Sequence, residues 1–458
     1  MSSQLASLSA ADALVGFEAR TLSPVELLRA VIDRAEKVEP LINAFRETSF
    51  ERALKQAQEA ESRYARGDAR ALEGIPLAVK DEAEIEGERT AQGSLLLSDS
   101  IDEITSPFME RLLEAGAIVH ARTTCPEFSS TTVTHSRLCG VTRNPWNLEL
   151  TPGGSSGGSA ASLAACTTTL ATGSDIAGSI RIPASCCGVV GFKPPYGRVP
   201  QLPPYSLDPY CHDGPLARTV RDCALMQNVI SGPHAKDIAT LRPKLEIPTD
   251  LGDLRGFRVA YSIDLGFFEV DPEVVRATHA ALDVFRGLGC AIEEVTLPWT
   301  DAIRVAAWTH LKHLFGTDVA RGLTSGRDRM TPYARAFAED AQNTTAEGFL
   351  DATTVAGEMY PPMAEILDRH DVFVCPTNAV AAVPADLDPT SQEVRINGVS
   401  VDPVLGWVMT YPFNMLSRCP VMSVPSGRAE NGVPTGIQIV GRSFDDISVF
   451  RAATAYEE

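Results

Sequence analysis

The stretch "TPGGSSGGSAAS", Thr151–Ser162, places four glycines and four serines in a dozen residues. Composition alone fits a flexible linker. The other reading is a backbone that comes very close to its surroundings and presents hydroxyls there, which residues without bulky side chains allow. A second run of the same character decides between them. "GSDIAGSIRIPASCCGVVGFKP", Gly173–Pro194, follows closely, and its Ser179 stands 24 residues after Ser155. Upstream, "GIPLAVKD", Gly74–Asp81, is a short apolar run of strand type with a lysine at its end. Two hydroxyl-bearing glycine turns and one lysine make a Ser–Ser–Lys constellation.

The surrounding chain is that of an ordinary globular protein. It has 458 residues, 44% apolar and 22% charged, enough to bury a large core. The net charge of −19 argues against the basic face of a nucleic-acid binder and against attraction to an anionic membrane. Ten cysteines are scattered without a C-x-x-C pair, which suits small core residues of a reduced, cytoplasmic protein. The first twenty residues lack the basic and apolar regions of a secretory signal, and no run of 18 apolar residues occurs. No membrane association is expected.

Strands alternate with helices along the chain. Ser23-Pro24-Val25-Glu26 starts a helix, with apolar positions at Val25, Leu28, Ile32 and Ala35 and its end expected before Pro40. Residues 49–66, 108–114, 271–288 and 446–456 also read as helical. Residues 117–121, 188–192, 257–262, 371–376, 421–425 and 436–441 are short runs of strand type. The pattern predicts an α/β protein with a central mixed sheet covered by helices. No repeat or clear linker divides the chain, so one large domain over 1–458 is expected. Its core is placed at about 70–230 and 365–458, behind N-terminal helices in 1–69. Residues 193–215, with seven prolines, read as an irregular loop. Residues 300–350 read as a helical insert. Both are candidate pocket walls.

The order of these motifs resembles the amidase signature family. "NPWN" (144–147), "TPGGSSGGSAAS", "GSDIAGSIRIPAS", "GVVGFKPPYGRV" (188–199) and "GPLARTVRD" (214–222) stand in the family's sequence, followed by "PFN" (412–414), "SVPSG" (423–427) and "GVPTGIQIVG" (432–441). The likeness runs from about residue 8 to the last residue. It implies a single α/β domain and a hydrolase with a Ser-cisSer-Lys triad. Ser179 would be the nucleophile, Ser155 the bridging serine after a cis peptide bond, and Lys80 the base. The backbone N–H groups of Ile176, Ala177, Gly178 and Ser179 would form the oxyanion hole. No cofactor and no metal are implied.

Physical chemistry gives each part a reason. A serine hydroxyl is a weak nucleophile and needs a base. Lysine serves as that base only where its charge is disfavoured, and the apolar run before Lys80 suits a desolvated amine. Asp81 points to the opposite face of a strand and need not neutralise it. Ser155 can accept one proton and pass on another. One departure concerns the hole: the family most often has Gly-Gly-Ser where this chain has Ala177-Gly178-Ser179. Alanine keeps its N–H, so the hole survives provided position 177 does not require positive φ.

Other readings fit less of the chain. Gly153–Gly157 matches the nucleophile elbow G-x-S-x-G, an esterase signature, but no Asp-then-His context follows it. A phosphate loop would need Gly-Lys-Ser/Thr after the glycines. The family also contains the amidase subunit of the tRNA-dependent amidotransferase, which works with a partner. "TTCPEFSSTT" (123–132) departs from that subunit's asparagine-containing segment and favours a free-standing enzyme, a monomer or homodimer. Its substrate is expected to be a small amide, anilide or aryl carbamate. Gly154, Tyr205 and His212 are the candidate substrate contacts, and Tyr210, Trp308 and Phe315 hint at an apolar or aryl group. Arg181 is read as a structural ion-pair partner, His120 as a core histidine, and Cys186-Cys187 as a buried pair.

Overall fold

Strands buried on both faces need apolar side chains at successive positions, and the central segments of this chain supply them. The computed structural model describes residues 2–458. One sheet of eleven strands runs through it. In chain order the strands are β1 (Phe45–Thr48), β2 (Pro76–Lys80), β3 (Ile118–Thr123), β4 (Leu170–Asp175), β5 (Val190–Lys193), β6 (His212–Ala217), β7 (Arg258–Tyr261), β8 (Ala291–Glu294), β9 (Val372–Pro376), β10 (Val421–Arg428) and β11 (Pro434–Val440). Their spatial order is β1-β3-β2-β4-β6-β5-β10-β11-β9-β7-β8. Parallel pairs, β2 with β3 and β4, and β7 with β8 and β9, flank an antiparallel centre.

Alternation along each strand sends neighbouring residues to opposite layers. Val372, Val374, Ile437 and Ile439 join Phe192, Phe285 and Phe450 in one core. Phe373, Cys375 and Val440 join Trp407 and Phe413 in the other. The helix Gly157–Ala164 presses on the sheet through small residues. A Cβ on Gly158 would lie 2.5 Å from Thr124 N and 2.6 Å from Ala44 O, so only glycine fits there.

Several boundaries differ from those expected of the sequence. The helix from Pro24 runs through Pro40 to Ile42 and ends on Asn43 in the left-handed region. Pro40 sits in its last turn, where the N–H it lacks removes one hydrogen bond and only two helical residues follow. The strand expected at 188–192 begins at Val190, because Gly188 caps the preceding helix at φ 68°. Strands β4 and β6 have no clear signal in the sequence. Gly173 and Pro215 mask their propensity, and pairing on both sides imposes the extended form. The loop expected over 193–215 therefore ends in β6. Strands β1, β7 and β8 extend the sheet beyond the expected core segments.

Candidate active site

Two parallel strands end side by side, and candidate site residues leave from those ends. Leu77 pairs with Leu170 and Ala78 with Ala171, so the carboxyl ends of β2 and β4 open on one edge of the sheet, where α/β proteins place ligands. Lys80 closes β2, with its backbone N–H donating to Thr172 Oγ1 at 2.9 Å. Ser174 lies near the end of β4, and the turn Ile176–Ser179 follows directly. Ser155 precedes the helix Gly157–Ala164, and the Gly154–Ser155 peptide bond is cis.

The Lys80 amine is enclosed by three oxygens. Its Nζ lies 2.7 Å from Ser155 Oγ and 2.8 Å from Ser174 Oγ, and 3.0 Å from Glu82 Oε2. The lysine is 1% exposed. Asp81 turns away, as alternation requires, and pairs with Arg46 Nε at 2.9 Å. Ser174 and Glu82 are site residues that sequence reasoning missed. The chain turns directly after β2, with the Glu82 N–H donating to Lys80 O at 2.7 Å, and that turn brings the carboxylate back to the amine. Burial favours the protonated form of Glu82, but the Lys80 charge and hydrogen bonds from Ser129 and Ser174 outweigh it and hold the carboxyl below its ordinary range.

Four consecutive N–H groups, those of Ile176, Ala177, Gly178 and Ser179, donate to no acceptor among the described residues. Buried donors without partners are rare. The turn's positive φ falls on Gly178, at 122°, and Ala177 has none. The proviso attached to alanine is therefore met. A Cβ on Gly178 would come within 1.9 Å of Thr410 Oγ1, the hydroxyl that donates to Ala177 O at 2.6 Å. Ser179 is 6% exposed, and its hydroxyl makes no hydrogen bond among the described residues, to Ser155 included. The two serine segments are tied instead by Ser156 N–H donating to Ser179 O at 3.2 Å.

A buried ion pair braces the turn. Arg181 donates from Nε and Nη2 to the two oxygens of Asp175 at 2.9 and 2.8 Å. It also donates to Thr410 O, Gln438 Oε1 and Asn414 Oδ1. Burial would raise the Asp175 carboxyl, but the guanidinium and the Asn414 amide hold it at about 2. A carboxylate held below its unfolded value near 3.9 stabilises the fold at higher pH. That stability is lost as pH falls from about 4 towards about 2. Arg181→Met is expected to cost about 3–5 kcal/mol in denaturant unfolding at pH 7, because it strands a buried charge. An unchanged midpoint would remove the bracing role.

A cavity of about 320 Å³ opens beside these groups, lined by Glu82, Ser155, Ser174 and Ile176 together with Phe128, Leu202, Tyr205, Phe315 and Asp213. A smaller hollow of about 30 Å³ adjoins Ala177 and Ser179 and is walled by Trp308, Leu311, Phe315 and Phe337. Parts of 193–215 and of 300–350 thus form walls. Tyr205 lines the cavity with its hydroxyl 2.8 Å from Asp318 Oδ2. The other two candidate contacts do not line it. His212 is buried, with its ring nitrogens 2.9 Å from Tyr210 O and 3.2 Å from Ser417 O, so a substrate cannot use them. Gly154 packs on the backbone of Thr132 and Val133. Tyr210 is stacked on His310. Asp213, also unforeseen, is pushed up to about 8, first by burial and then by the Glu82 charge. His120 is buried against Phe45 and Phe50, and Cys186 and Cys187 are buried thiols.

The Amidase family model matches residues 26–450. The chain belongs to the amidase family. This amidase is 34% identical over 462 residues to an acylamidase of Rhodococcus erythropolis, covering 98% of this chain and 95% of that one. It is 33% identical over 468 residues to the glutamyl-tRNA(Gln) amidotransferase A subunit of Geobacter metallireducens, covering 96% and 94%. The crystal structure of a bacterial aryl acylamidase of the amidase signature family superposes with a TM-score of 0.92 at 29% identity, covering 98% and 96%. The amidase is a hydrolase of carbon–nitrogen bonds. No helix among its described residues is long and apolar enough to cross a membrane.

Proposed function

We propose that this amidase is a free-standing enzyme that cleaves a small aryl amide, anilide or aryl carbamate through an acyl-enzyme on Ser179. The contact that carries this reading is Lys80 Nζ at 2.7 Å from Ser155 Oγ. Ser179 rotates toward Ser155 and attacks the carbonyl carbon. Its proton passes to Ser155 while the Ser155 proton passes to Lys80, since a hydroxyl both accepts and donates. The tetrahedral oxyanion is received by the unpaired N–H groups of the turn 176–179. Such donors are worth about 3–4 kcal/mol each when aimed at developing charge. The proton then returns through Ser155 to the leaving nitrogen, and water hydrolyses the ester by the same route. Ile176, Tyr205 and Phe315 give the cavity an apolar wall suited to an aryl group.

Near-equal identity to an acylamidase and to one subunit of an amidotransferase leaves the partner-dependent reading to be tested directly. The purified single chain is assayed on aryl amides, fatty amides and aryl carbamates. Turnover of an aryl substrate without tRNA, ATP or a second protein is the expected result. Turnover that appears only with such a partner would overturn the free-standing assignment.

A further inference from the structure

A neutral amine has two N–H groups and one lone pair, whereas an ammonium has three N–H groups. Lys80 Nζ meets three oxygens, those of Ser155, Ser174 and Glu82. Ser155 must face the lone pair if Lys80 is to take a proton from it. The two N–H groups then fall to Ser174 and Glu82, which fixes the direction of the lone pair. Glu82 also carries a charge, and a carboxylate 3.0 Å away favours the ammonium over the amine.

We propose that Glu82 is a positioning residue that aims the Lys80 lone pair at Ser155 and, by the same contact, sets a carboxylate charge against the nitrogen that must take up the proton. The activating step is simple proton transfer: the ammonium gives one proton to hydroxide that enters through the cavity, leaving the amine and water. The inference rests on the reading of Lys80 as the base. Burial of the pair on the Lys80 side and the Ser129 hydrogen bond to Glu82 hold the carboxylate in place. Other titratable groups face Glu82: Glu84 on its own segment, Cys125 after β3, Tyr205 and Cys211 on the loop before β6, and Asp213 on β6. Asp213, at about 8, titrates within the assay range and needs its own control.

The test is the pH dependence of kcat/KM on a neutral anilide that does not itself titrate, for wild type, Glu82→Gln and Glu82→Leu, each repeated in an Asp213→Asn background. Glutamine keeps an acceptor and loses the charge. Its ascending limb is expected to move down by about one to three pH units, with the alkaline plateau kept within roughly tenfold. Leucine loses the acceptor as well, so its limb moves down and its plateau falls further. The shift should persist in the Asp213→Asn background. A limb that stays in place in both variants, or that moves only when Asp213 is present, overturns the inference. The amount of Ser179 labelled by a serine-directed phosphonate counts the folded sites, so a misfolded variant is recognised and the other carries the test. Lys80→Ala is measured alongside. If it keeps full activity, the base assignment itself fails; if it is inactive while both Glu82 variants leave the limb unmoved, only the positioning role falls.

Discussion

Ser179→Ala is expected to lower kcat by at least about 10⁴-fold on every amide or carbamate that the wild type turns over. The structure makes this substitution unusually clean. The Ser179 hydroxyl has no hydrogen-bond partner among the described residues, and the residue is 6% exposed. Removing it leaves no buried group unsatisfied, so the thermal midpoint should stay within experimental error. Intact-mass measurement after phosphonate treatment should show one adduct on wild type and none on the variant. Full activity in Ser179→Ala would falsify the acyl-enzyme mechanism outright.

Lys80→Ala should lose about 10²–10⁴-fold in kcat, the usual worth of a positioned base. The remaining rate should climb with pH as hydroxide takes over proton removal. This variant, unlike the first, is also expected to lose stability. The amine is 1% exposed and touches three oxygens, and its removal leaves the Glu82 carboxylate without its cation. The sign follows from the direction of the shift. Glu82 is held below its ordinary value in the folded wild type, so it adds stability above the unfolded value of about 4.3. Without Lys80, burial is opposed only by the hydrogen bonds from Ser129 and Ser174, so the contribution shrinks. Denaturant unfolding at pH 3 and pH 6 should show the gap between variant and wild type widening at the higher pH. A constant gap would mean that the pair carries no net linkage.

Much of this site is legible in the amino-acid sequence, and particular residues explain why. Ser155 and Ser179 stand in stretches whose glycine and serine content has no other economical use. The strand ending at Lys80 is apolar throughout. What stays hidden is set by partners distant in the chain. Strands β4 and β6 carry Gly173 and Pro215 against their own propensity, and pairing alone makes them strands. Glu82 is concealed for a different reason: a buried lysine base leads one to expect an uncharged neighbourhood, and a carboxylate two residues on runs against that expectation. His212, placed beside the substrate from its loop context, is instead drawn inward by backbone carbonyls of residues 210 and 417. No local signal announces such contacts.

The guanidinium of Arg181 fastens the reactive turn to Thr410, Asn414 and Gln438. All three are translated more than two hundred residues after the turn they hold. A nascent polypeptide that has already made Lys80, Ser155 and Ser179 therefore lacks the frame that holds the turn. On the proposed mechanism, a product terminated before residue 410 would carry all three side chains and is expected to be inert.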